Sequence, residues 1–521
     1  MKNESRKFVT HQAWVEGKWV RDVVLSVAPD GTWASVLPNA SAAQQVGATR
    51  LPGAVLPGVV NAHSHALQRA RAGLAERRNA PAADVALPTL PTLPHLPRLA
   101  LPAHDRRLSP GQRVTPEQLE AVATQLYAEL LVGGYTHVCE FLYLHSTSAA
   151  DDAGDALAMA QALVRASQRV GLGLTLLPTL PPQGGRGIHA VSDRSAALAD
   201  GPAQLMRVVE AINRQAAVAV RPASGGAAGA RAAKAAGPAL VGAGIGLHTL
   251  DTADCTAMQE LAADARKTGL PVHIHIAEHD AAVDDCVART GQTPLAWLLD
   301  NTDVDARWNL VHATHASTAE LKGVRSAGAA IVVCPSTAAN LGRGVFDLPA
   351  FANVGGNWSV GSDRHVARGW PEELRLLEYA LRLQRGARNV AAQAAGRESS
   401  AAVLFDAAVA GGQASTGQRV GPIQVGRRAD FLVLDPASPS LLGLPGDHHL
   451  DVLLFSTPTA RFCEVFVAGV RVVKDGRVVG PKGDAGLASD IGHAFVPVMQ
   501  ALLAPAPVAS AASAEAATRH A

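Results

Sequence analysis

Two histidines one residue apart, His63 and His65, follow directly on an apolar run in the segment PGVVNAHSHALQRARAG, residues 57–73. Alternate side chains of a β-strand point to the same face, so the two imidazoles are expected to lie together. Neutral imidazole is a good zinc ligand, and a pair in this geometry would supply half of a mononuclear metal site. The pair alone is weak support, because hydrogen-bonded histidines in a strand are the simpler alternative.

Further side chains that suit a metal ion or a proton transfer follow other apolar runs. They are His275 and Glu278 in HIHIAE, His312 in LVHATH and Asp363 in SVGSDRHV. With the first pair they provide three imidazoles and a carboxylate for one divalent ion. Glu278 and His312 are then left for acid–base chemistry.

A zinc ion at such a site would lower the pKa of a bound water and generate hydroxide. Asp363 could take the second proton of that water, and Glu278 could protonate a departing nitrogen. We favour this arrangement over Asp363 as a mere helix N-cap, and we expect His273 and His315 to be structural. No lysine stands where a bridging carbamate would hold a second metal, so we expect one ion, zinc or another divalent metal.

Helices and strands alternate around these groups. One helix is predicted to begin at the N-cap Thr115, with Pro116 at its first position and Gln118 completing a capping box, and to end at Gly133 and Gly134 before the strand YTHVCEFLYLH. The same order returns in ALAMAQALVRASQRVG with LGLTLLPTL, MQELAADARKTG with LPVHIHIAE, PLAWLLDN with ARWNLVHATH, and LKGVRSAG with AAIVVCPST. These units predict an α/β fold, a closed (β/α)₈ TIM-like barrel whose catalytic groups lie at the carboxyl ends of its strands.

Short β-runs at both chain ends predict a second, smaller domain. They fill residues 12–56 and return after about residue 420, with an Asp-Gly turn in VKDGRVVG. We expect them to join in one small β-sandwich. The predicted divisions are 1–56 and 421–490 for this β-domain, 57–420 for the barrel and 491–521 for a low-complexity tail.

Two internal segments lack the composition of a packed core. Residues 80–114 are rich in proline and leucine, which excludes helix and central strand and predicts a long loop, either a lid or a variable surface insertion. Residues 215–241 are rich in alanine and glycine and predict a flexible insertion.

Composition restricts the partners. The chain has 521 residues, 48% of them hydrophobic and 17% charged, and a formal net charge of +1 without basic clusters, so we expect a small-molecule substrate and neither nucleic acid nor membrane as partner. The five cysteines are widely spaced without a CxxC motif, which is typical of reduced thiols in a cytoplasmic enzyme. The segment MKNESRKFVT lacks the apolar core of a signal peptide, and no apolar run of about 18 residues follows, so we expect neither secretion nor a membrane span. A homodimer is left open.

At these residues the sequence resembles the amidohydrolase superfamily of metal-dependent hydrolases and, within it, the formimidoylglutamate deiminases of histidine degradation. Similar motifs in the same order, over roughly residues 12–485, are HSHALQRARAGLAE, GYTHVCEFLYLH, HIHIAE, GQTPLAWLLDN to ARWNLVHATH, CPSTAANLG and GSDRHV. By that resemblance zinc would be held by His63, His65, His275 and Asp363. Glu278 would shuttle protons, His312 would face the substrate, and Gln68, Tyr143 and His248 match positions that contact substrate in the family.

The resemblance implies hydrolysis of N-formimino-L-glutamate to N-formyl-L-glutamate and ammonia. Two alternatives stay open. One is a related aminohydrolase with a different substrate, such as a cyclic amidine, a guanidine or a nucleobase. The other is a metal-binding member of the family with little activity.

The chain departs from the family where a dicarboxylate should bind. After the His248 motif the family pattern is roughly HSLR, whereas this chain has HTLD, so Asp251 replaces an arginine. A Trp-Arg motif expected before the Thr115 helix is also replaced by the proline-rich loop. Forked guanidinium donors match carboxylates, and an acid there would repel them. Arginines that could compensate are Arg98, Arg106, Arg107 and Arg364, the last where the family pattern has serine, and the sequence does not choose among them.

Overall fold

The computed structural model describes residues 6–74, 76, 114–143, 152–180, 201–219, 239–250, 255–459 and 462–504. The proline-rich loop predicted at 80–114 lies outside these residues except for Val114. The segment 215–241 was predicted to be a flexible insertion, but its described ends belong to regular elements: a helix runs to Ala219 and a strand begins at Val241. The rest of that prediction, 220–238, lies outside the described residues.

The strands are β1 (Arg6–Val15), β2 (Lys18–Val27), β3 (Trp33–Leu37), β4 (Thr49–Arg50), β5 (Val55–Pro57), β6 (Val59–Ser64), β7 (Tyr135–Tyr143), β8 (Gly173–Thr179), β9 (Val241–Ala243), β10 (Ile245–Thr249), β11 (Val272–Ile276), β12 (Trp308–His312), β13 (Ala330–Val333), β14 (Asn357–Val360), β15 (Phe431–Leu434), β16 (Phe462–Val467), β17 (Val470–Lys474) and β18 (Arg477–Val478).

The helices are α1 (Ala42–Gln45), α2 (Pro116–Val132), α3 (Asp152–Val170), α4 (Gly201–Ala219), α5 (Cys255–Thr268), α6 (Asp280–Thr290), α7 (Pro294–Asn301), α8 (Thr318–Ala327), α9 (Pro335–Leu341), α10 (Leu348–Asn353), α11 (Trp370–Arg385), α12 (Val390–Ala395), α13 (Ser400–Thr416), α14 (His449–Phe455) and α15 (Leu487–Leu503), with 3₁₀ turns at Ala66–Arg71 and Gly446–His448. None of the helices within the described ranges combines the length and apolar character needed to cross a membrane.

Both chain ends build one mixed sheet, as the sequence predicts. Its order is β18-β17-β16-β15-β5-β1-β2-β3, with β4 beside β1. The aromatic rings of Phe431 and Phe466 stack on its buried face with centroids 4.2 Å apart. The predicted Asp-Gly turn joins β17 to β18, with Asp475 and Gly476 both at positive φ (52° and 71°), as a tight hairpin of the primed class requires.

The second sheet is the predicted parallel barrel. Its eight main strands follow the order β14-β13-β12-β11-β10-β8-β7-β6, and β9 pairs with β8 beside them. The two outer strands of this order, β14 and β6, are joined through the segment that follows β14. In that segment the amides of Ser362 and Asp363 donate to the His63 carbonyl at 3.1 and 2.9 Å, and the His65 amide donates to the Asp363 carbonyl at 3.3 Å. The segment that closes the barrel therefore carries Asp363 onto the strand that carries the histidine pair.

Close backbone approach makes this closure possible. A Cβ atom built on Gly361 would lie 2.6 Å from the Cβ of His63, so only glycine fits there without a shift.

The first barrel helix, α2, begins as predicted, because the Thr115 side chain accepts from the amide of Gln118 and the Gln118 side chain accepts from the amide of Thr115. Gly133 and Gly134 follow its last residue, and Gly134 has φ +88°.

Helix α13 lies across the amino-terminal end of the barrel. His273 Nε2 donates to the Ser415 carbonyl at 2.7 Å, and Asn309 Nδ2 donates to the Ala414 carbonyl at 3.2 Å. His273 is thus hydrogen-bonded to backbone, in keeping with a structural role. The carboxyl ends of the strands, where the predicted functional residues stand, lie at the opposite end.

The carboxyl-terminal helix α15 occupies part of the segment 491–521 that was expected to be a low-complexity tail. It packs on the barrel: Leu502 shares a hydrophobic cluster with Ala70 and Val122, and the Arg69 guanidinium lies 5.4 Å from the centre of the Phe495 ring. Apolar residues at helical spacing allow this packing despite the simple composition. Residues 505–521 lie outside the described part of the chain.

Candidate active site and metal centre

The predicted metal ligands converge at the carboxyl end of the barrel. His63 Nε2 lies 3.1 Å from His275 Nε2 and 3.6 Å from Asp363 Oδ1, and His65 Nε2 is also 3.6 Å from Asp363 Oδ1. Ligands about 2.1 Å from a tetrahedral ion are roughly 3.4 Å apart, so these separations suit one ion. Potential ligand atoms of two sets, His63 with His275 and His312, and His63 with His65 and Asp363, lie within 4.8 Å of one another.

The protonation states and hydrogen bonds of His63 and His275 suit metal binding. Burial lowers the pKa of His63 and holds that of His275 well below its usual value, so both imidazoles are neutral. His275 Nδ1 donates to the His248 carbonyl at 2.8 Å, which leaves the lone pair of its Nε2 facing His63. His63 Nδ1 is buried and makes no hydrogen bond to any described residue. The donor set therefore fits a divalent metal.

Asp363 presents its two oxygens to different neighbours. Oδ1 faces His63 and His65, whereas Oδ2 lies 3.9 Å from His312 Nε2. Burial alone would raise the pKa of Asp363, but the hydrogen bond from His63 and the electrostatic influence of the neighbouring His65 and His312 hold that pKa well below the ordinary value. The residue has φ 45°, and His312 has φ 74°. Such strained backbone conformations are typical of active sites.

Glu278 lies between His312 and an arginine that the sequence analysis missed. Its Oε1 is 4.0 Å from His312 Nε2 and 3.5 Å from Arg343 Nε. Burial would raise the pKa of Glu278, but the charges of His312 and Arg343 outweigh it and lower that pKa. Arg343 comes directly after the motif CPSTAANLG, and this neighbouring position is the sequence signal that points to Arg343 as a site residue.

The predicted substrate-contacting residues lie beside the predicted metal ligands. The Tyr143 ring stacks on His65, with centroids 5.6 Å apart and 6° between planes, and lies 5.4 Å from the His248 ring. The His248 ring lies 5.9 Å from that of His275. Gln68 follows in the 3₁₀ turn, where its amide donates to the His65 carbonyl at 2.8 Å. Tyr143, His248 and Gln68 therefore lie at the carboxyl end of the barrel, beside His65 and His275.

Of the residues invoked for the carboxylates, only Arg364 can be located. It is half-buried, and its amide donates to Thr337 Oγ1 at 3.2 Å. The others lie outside the described residues: Asp251, Arg98, Arg106 and Arg107.

Two buried acids accept hydrogen bonds from segments beside the site. Glu140 accepts hydrogen bonds from the Ser64 hydroxyl and the Ala66 amide, both at 2.5 Å, on either side of His65. Glu373 accepts from the Ser336 amide at 2.8 Å and from its hydroxyl at 2.6 Å. Burial raises the pKa of Glu140 to about 7 and that of Glu373 to about 8. The sequence signal for the role of Glu140 is its position as a single acidic residue in the otherwise apolar strand segment VCEFLY.

Comparison with known proteins places the chain among relatives with the same architecture. The amidohydrolase family model matches residues 54–479. A formimidoylglutamate deiminase from Pseudomonas aeruginosa is 38% identical over 485 residues, which cover 93% of this chain and 97% of the relative. A 5-methylthioadenosine/S-adenosylhomocysteine deaminase from Halobacterium salinarum is 28% identical over 236 residues, which cover 44% of this chain and 52% of the relative.

Solved structures match over nearly the whole chain. An amidohydrolase from Brucella melitensis is 34% identical with a TM-score of 0.75, and the match covers 96% of this chain and 100% of that one. An adenosine deaminase from Xanthomonas campestris with bound zinc has a TM-score of 0.70 over 94% of this chain and 98% of its own, and at 20% identity it shows the shared fold alone. The protein therefore belongs to the amidohydrolase family, as an enzyme that hydrolyses carbon–nitrogen bonds other than peptide bonds.

Proposed function

We propose that this enzyme is a zinc-dependent deaminase that converts N-formimino-L-glutamate and water to N-formyl-L-glutamate and ammonia in histidine degradation. The observation that carries the proposal is the convergence of His63, His65, His275 and Asp363 with Glu278 and His312 at one end of the barrel. The identity of 38% with a formimidoylglutamate deiminase over almost the full length of both chains supports this substrate.

The residues divide into those that hold the ion and those that move protons. His63, His65, His275 and Asp363 would hold zinc, which when bound supplies a Lewis acid that makes water acidic. The water oxygen adds to the formimino carbon, and the bond from that carbon to the terminal nitrogen breaks. Ammonia leaves and a formyl group results.

Both protons of the attacking water must be removed, and the terminal nitrogen, which leaves as ammonia, must gain two. Glu278 is suited to take the first proton and deliver it to the nitrogen, because its lowered pKa leaves it ionised and ready to accept. Asp363 takes the second proton, which also ends on the nitrogen as it leaves, so both carboxylates are regenerated. His312 lies within 4.0 Å of both acids and would donate a hydrogen bond to the substrate between them.

A second candidate is an aminohydrolase acting on a nucleobase, a guanidine or a cyclic amidine. It is favoured by the partial match to the deaminase of Halobacterium salinarum and by Asp251 in place of an arginine. The site would use the same proton transfers with a differently shaped substrate.

Ammonia release from a panel of formimino, guanidino and purine compounds separates these functions. We expect the zinc-loaded protein to release ammonia from N-formimino-L-glutamate with a kcat/KM far above that for any purine. Preference for a purine or guanidine would replace the proposed substrate, and absence of turnover from the whole panel would overturn both candidate functions.

We further infer a cytoplasmic enzyme that acts on a small molecule without nucleic acid or membrane as partner. The formal net charge of +1 without basic clusters supports this view. Sedimentation of the purified chain would decide whether it forms a homodimer.

A further inference from the structure

We infer that His365 is a positioning residue for the metal centre, because its ring ties the backbone of His65 to the segment that carries Asp363. The inference rests on the metal ligands of the proposed function and adds a residue outside that ligand set. It does not depend on which substrate the enzyme hydrolyses.

Both nitrogens of the His365 ring have partners within the protein. Nε2 lies 3.1 Å from the His65 carbonyl oxygen, and Nδ1 lies 2.9 Å from the Ser362 hydroxyl. A carbonyl oxygen only accepts, so Nε2 carries the proton and Nδ1 accepts from the hydroxyl. Burial lowers the pKa of His365 to about 4, which keeps the ring neutral. None of the residue's surface is exposed, so it acts through these contacts and not on a bound molecule.

The hydrogen bonds continue from Ser362 back to strand β6. Asn61 Nδ2 donates to the Ser362 hydroxyl at 2.7 Å, while Asn61 Oδ1 accepts from the Ser362 amide at 3.0 Å. Donors and acceptors therefore follow one direction, from Asn61 through Ser362 to His365 and on to the His65 carbonyl. Every member of this chain is used, so a change in one member affects the next.

The chain joins the two segments that carry three of the proposed ligands. After β14 its two members stand on either side of Asp363, and on β6 it ends at His65 itself. Asp363 Oδ1 lies 3.6 Å from Nε2 of both His63 and His65. A shift of either segment would change these separations, which a metal ion requires within narrow limits.

The peptide group between His65 and Ala66 is held at both ends. His365 donates to its carbonyl, which also accepts from the Gln68 amide at 2.8 Å, and Glu140 Oε1 accepts from its N–H at 2.5 Å. Because a peptide group is planar, these bonds fix its orientation and so limit the directions open to the His65 side chain. His65 is the first residue after β6, so side-chain partners replace the sheet at this carbonyl.

Two amide side chains separate the contacts of His365. A glutamine amide reaches the place of imidazole Nε2, whereas the shorter asparagine amide reaches only that of Nδ1. His365→Gln therefore keeps a donor for the His65 carbonyl, and His365→Asn loses it. The backbone has φ 61° at this position, a left-handed conformation in which asparagine is common.

His137→Asn is the matched control. His137 is also completely buried in the barrel, and its ring bonds to Thr175 and Arg428 instead of a segment that carries a ligand. Zinc affinity would be measured by competition with a chromogenic chelator. The visible spectrum of the cobalt(II)-substituted protein would report the geometry of the ligands, and thermal melts of the metal-free proteins would report folding.

We expect His365→Asn to lower zinc affinity by about 10–100-fold and to change the cobalt spectrum, since loss of a group that orients a ligand typically has this effect. His365→Gln should restore most of the affinity. His137→Asn should lower the melting temperature and leave zinc affinity and the cobalt spectrum unchanged.

Three results would overturn the inference. The first is zinc binding by His365→Asn as tight as that of wild type. The second is an equal loss in His365→Asn and His365→Gln, which would mean that the donor at Nε2 is unimportant. The third is an equal loss in His137→Asn, which would mean that reduced stability alone weakens the metal.

Ammonia release from N-formimino-L-glutamate, measured on the same samples, separates this inference from the proposed function. If zinc affinity depends on His365 as expected while wild type releases no ammonia, the proposed reaction fails and the positioning role stands. If ammonia is released but zinc affinity does not depend on His365, the reaction stands and the inference fails. A wild type that binds no zinc would overturn both.

Discussion

The metal side and the substrate side of the site are built differently. His63, His65 and His275 lie on or directly after barrel strands, and main-chain bonds of the closing segment fix Asp363 beside them. Arg343, by contrast, reaches the site from a loop after α9. Groups on strands have positions fixed by the sheet, whereas groups on loops can be replaced or moved while the barrel stays the same. Specificity should therefore vary more readily than the metal chemistry.

The largest expected effect is on the metal side. In a His63→Ala, His65→Ala double variant, two of the proposed ligands are gone, and we expect loss of stoichiometric zinc together with all measurable turnover. Elemental analysis after gel filtration measures the metal, and circular dichroism checks the fold. Full metal retention would contradict the assignment of these ligands.

A smaller effect is expected on the substrate side. Asp251→Arg replaces an acid with a cation where the family pattern has arginine, and we expect kcat/KM for N-formimino-L-glutamate to rise by roughly tenfold or more, with zinc content unchanged. Steady-state ammonia release measures it. If wild type is already efficient and the variant is impaired, another cation binds the carboxylates, and the replacement of arginine by Asp251 does not weaken substrate binding.

The smallest effect concerns Glu373, the buried acid that accepts hydrogen bonds from Ser336. Burial raises the pKa of Glu373 from 4.5 to about 8, so the stability that its protonated form contributes is complete below pH 4.5 and is lost as the pH rises through about 8. Glu373→Gln removes this titration. We expect its Tm to fall less than that of wild type between pH 5 and pH 9, by about 1–3 °C. Thermal unfolding at both pH values measures the difference, and identical slopes would show that Glu373 is ionised in the folded protein.

The sequence predicts the barrel and the metal side because both depend on local pattern. Each proposed ligand follows an apolar run, and the ends of parallel strands meet at one end of the barrel. The capping box of Thr115 and Gln118 likewise lies within four residues of sequence. These features need no knowledge of distant contacts.

The rest depends on contacts between distant segments. Arg343 meets Glu278 from a loop whose backbone is hydrogen-bonded to His315. Glu140 supports the His65 loop across the pairing of β6 with β7. Helix α15 was missed because its composition resembles that of a tail, although its apolar residues pack on the barrel. In each case the partner is far away in sequence, so spacing alone does not reveal it.

The central claim is that Glu278 transfers the proton in a zinc-dependent deamination of N-formimino-L-glutamate. The most direct test compares zinc-loaded wild type with Glu278→Gln, following ammonia and N-formyl-L-glutamate together by coupled assay and NMR. We predict equal amounts of both products from wild type, and a kcat lower by about 10²–10⁴-fold in the variant at unchanged zinc content. An unchanged kcat in the variant, or ammonia from wild type without N-formyl-L-glutamate, would contradict the account.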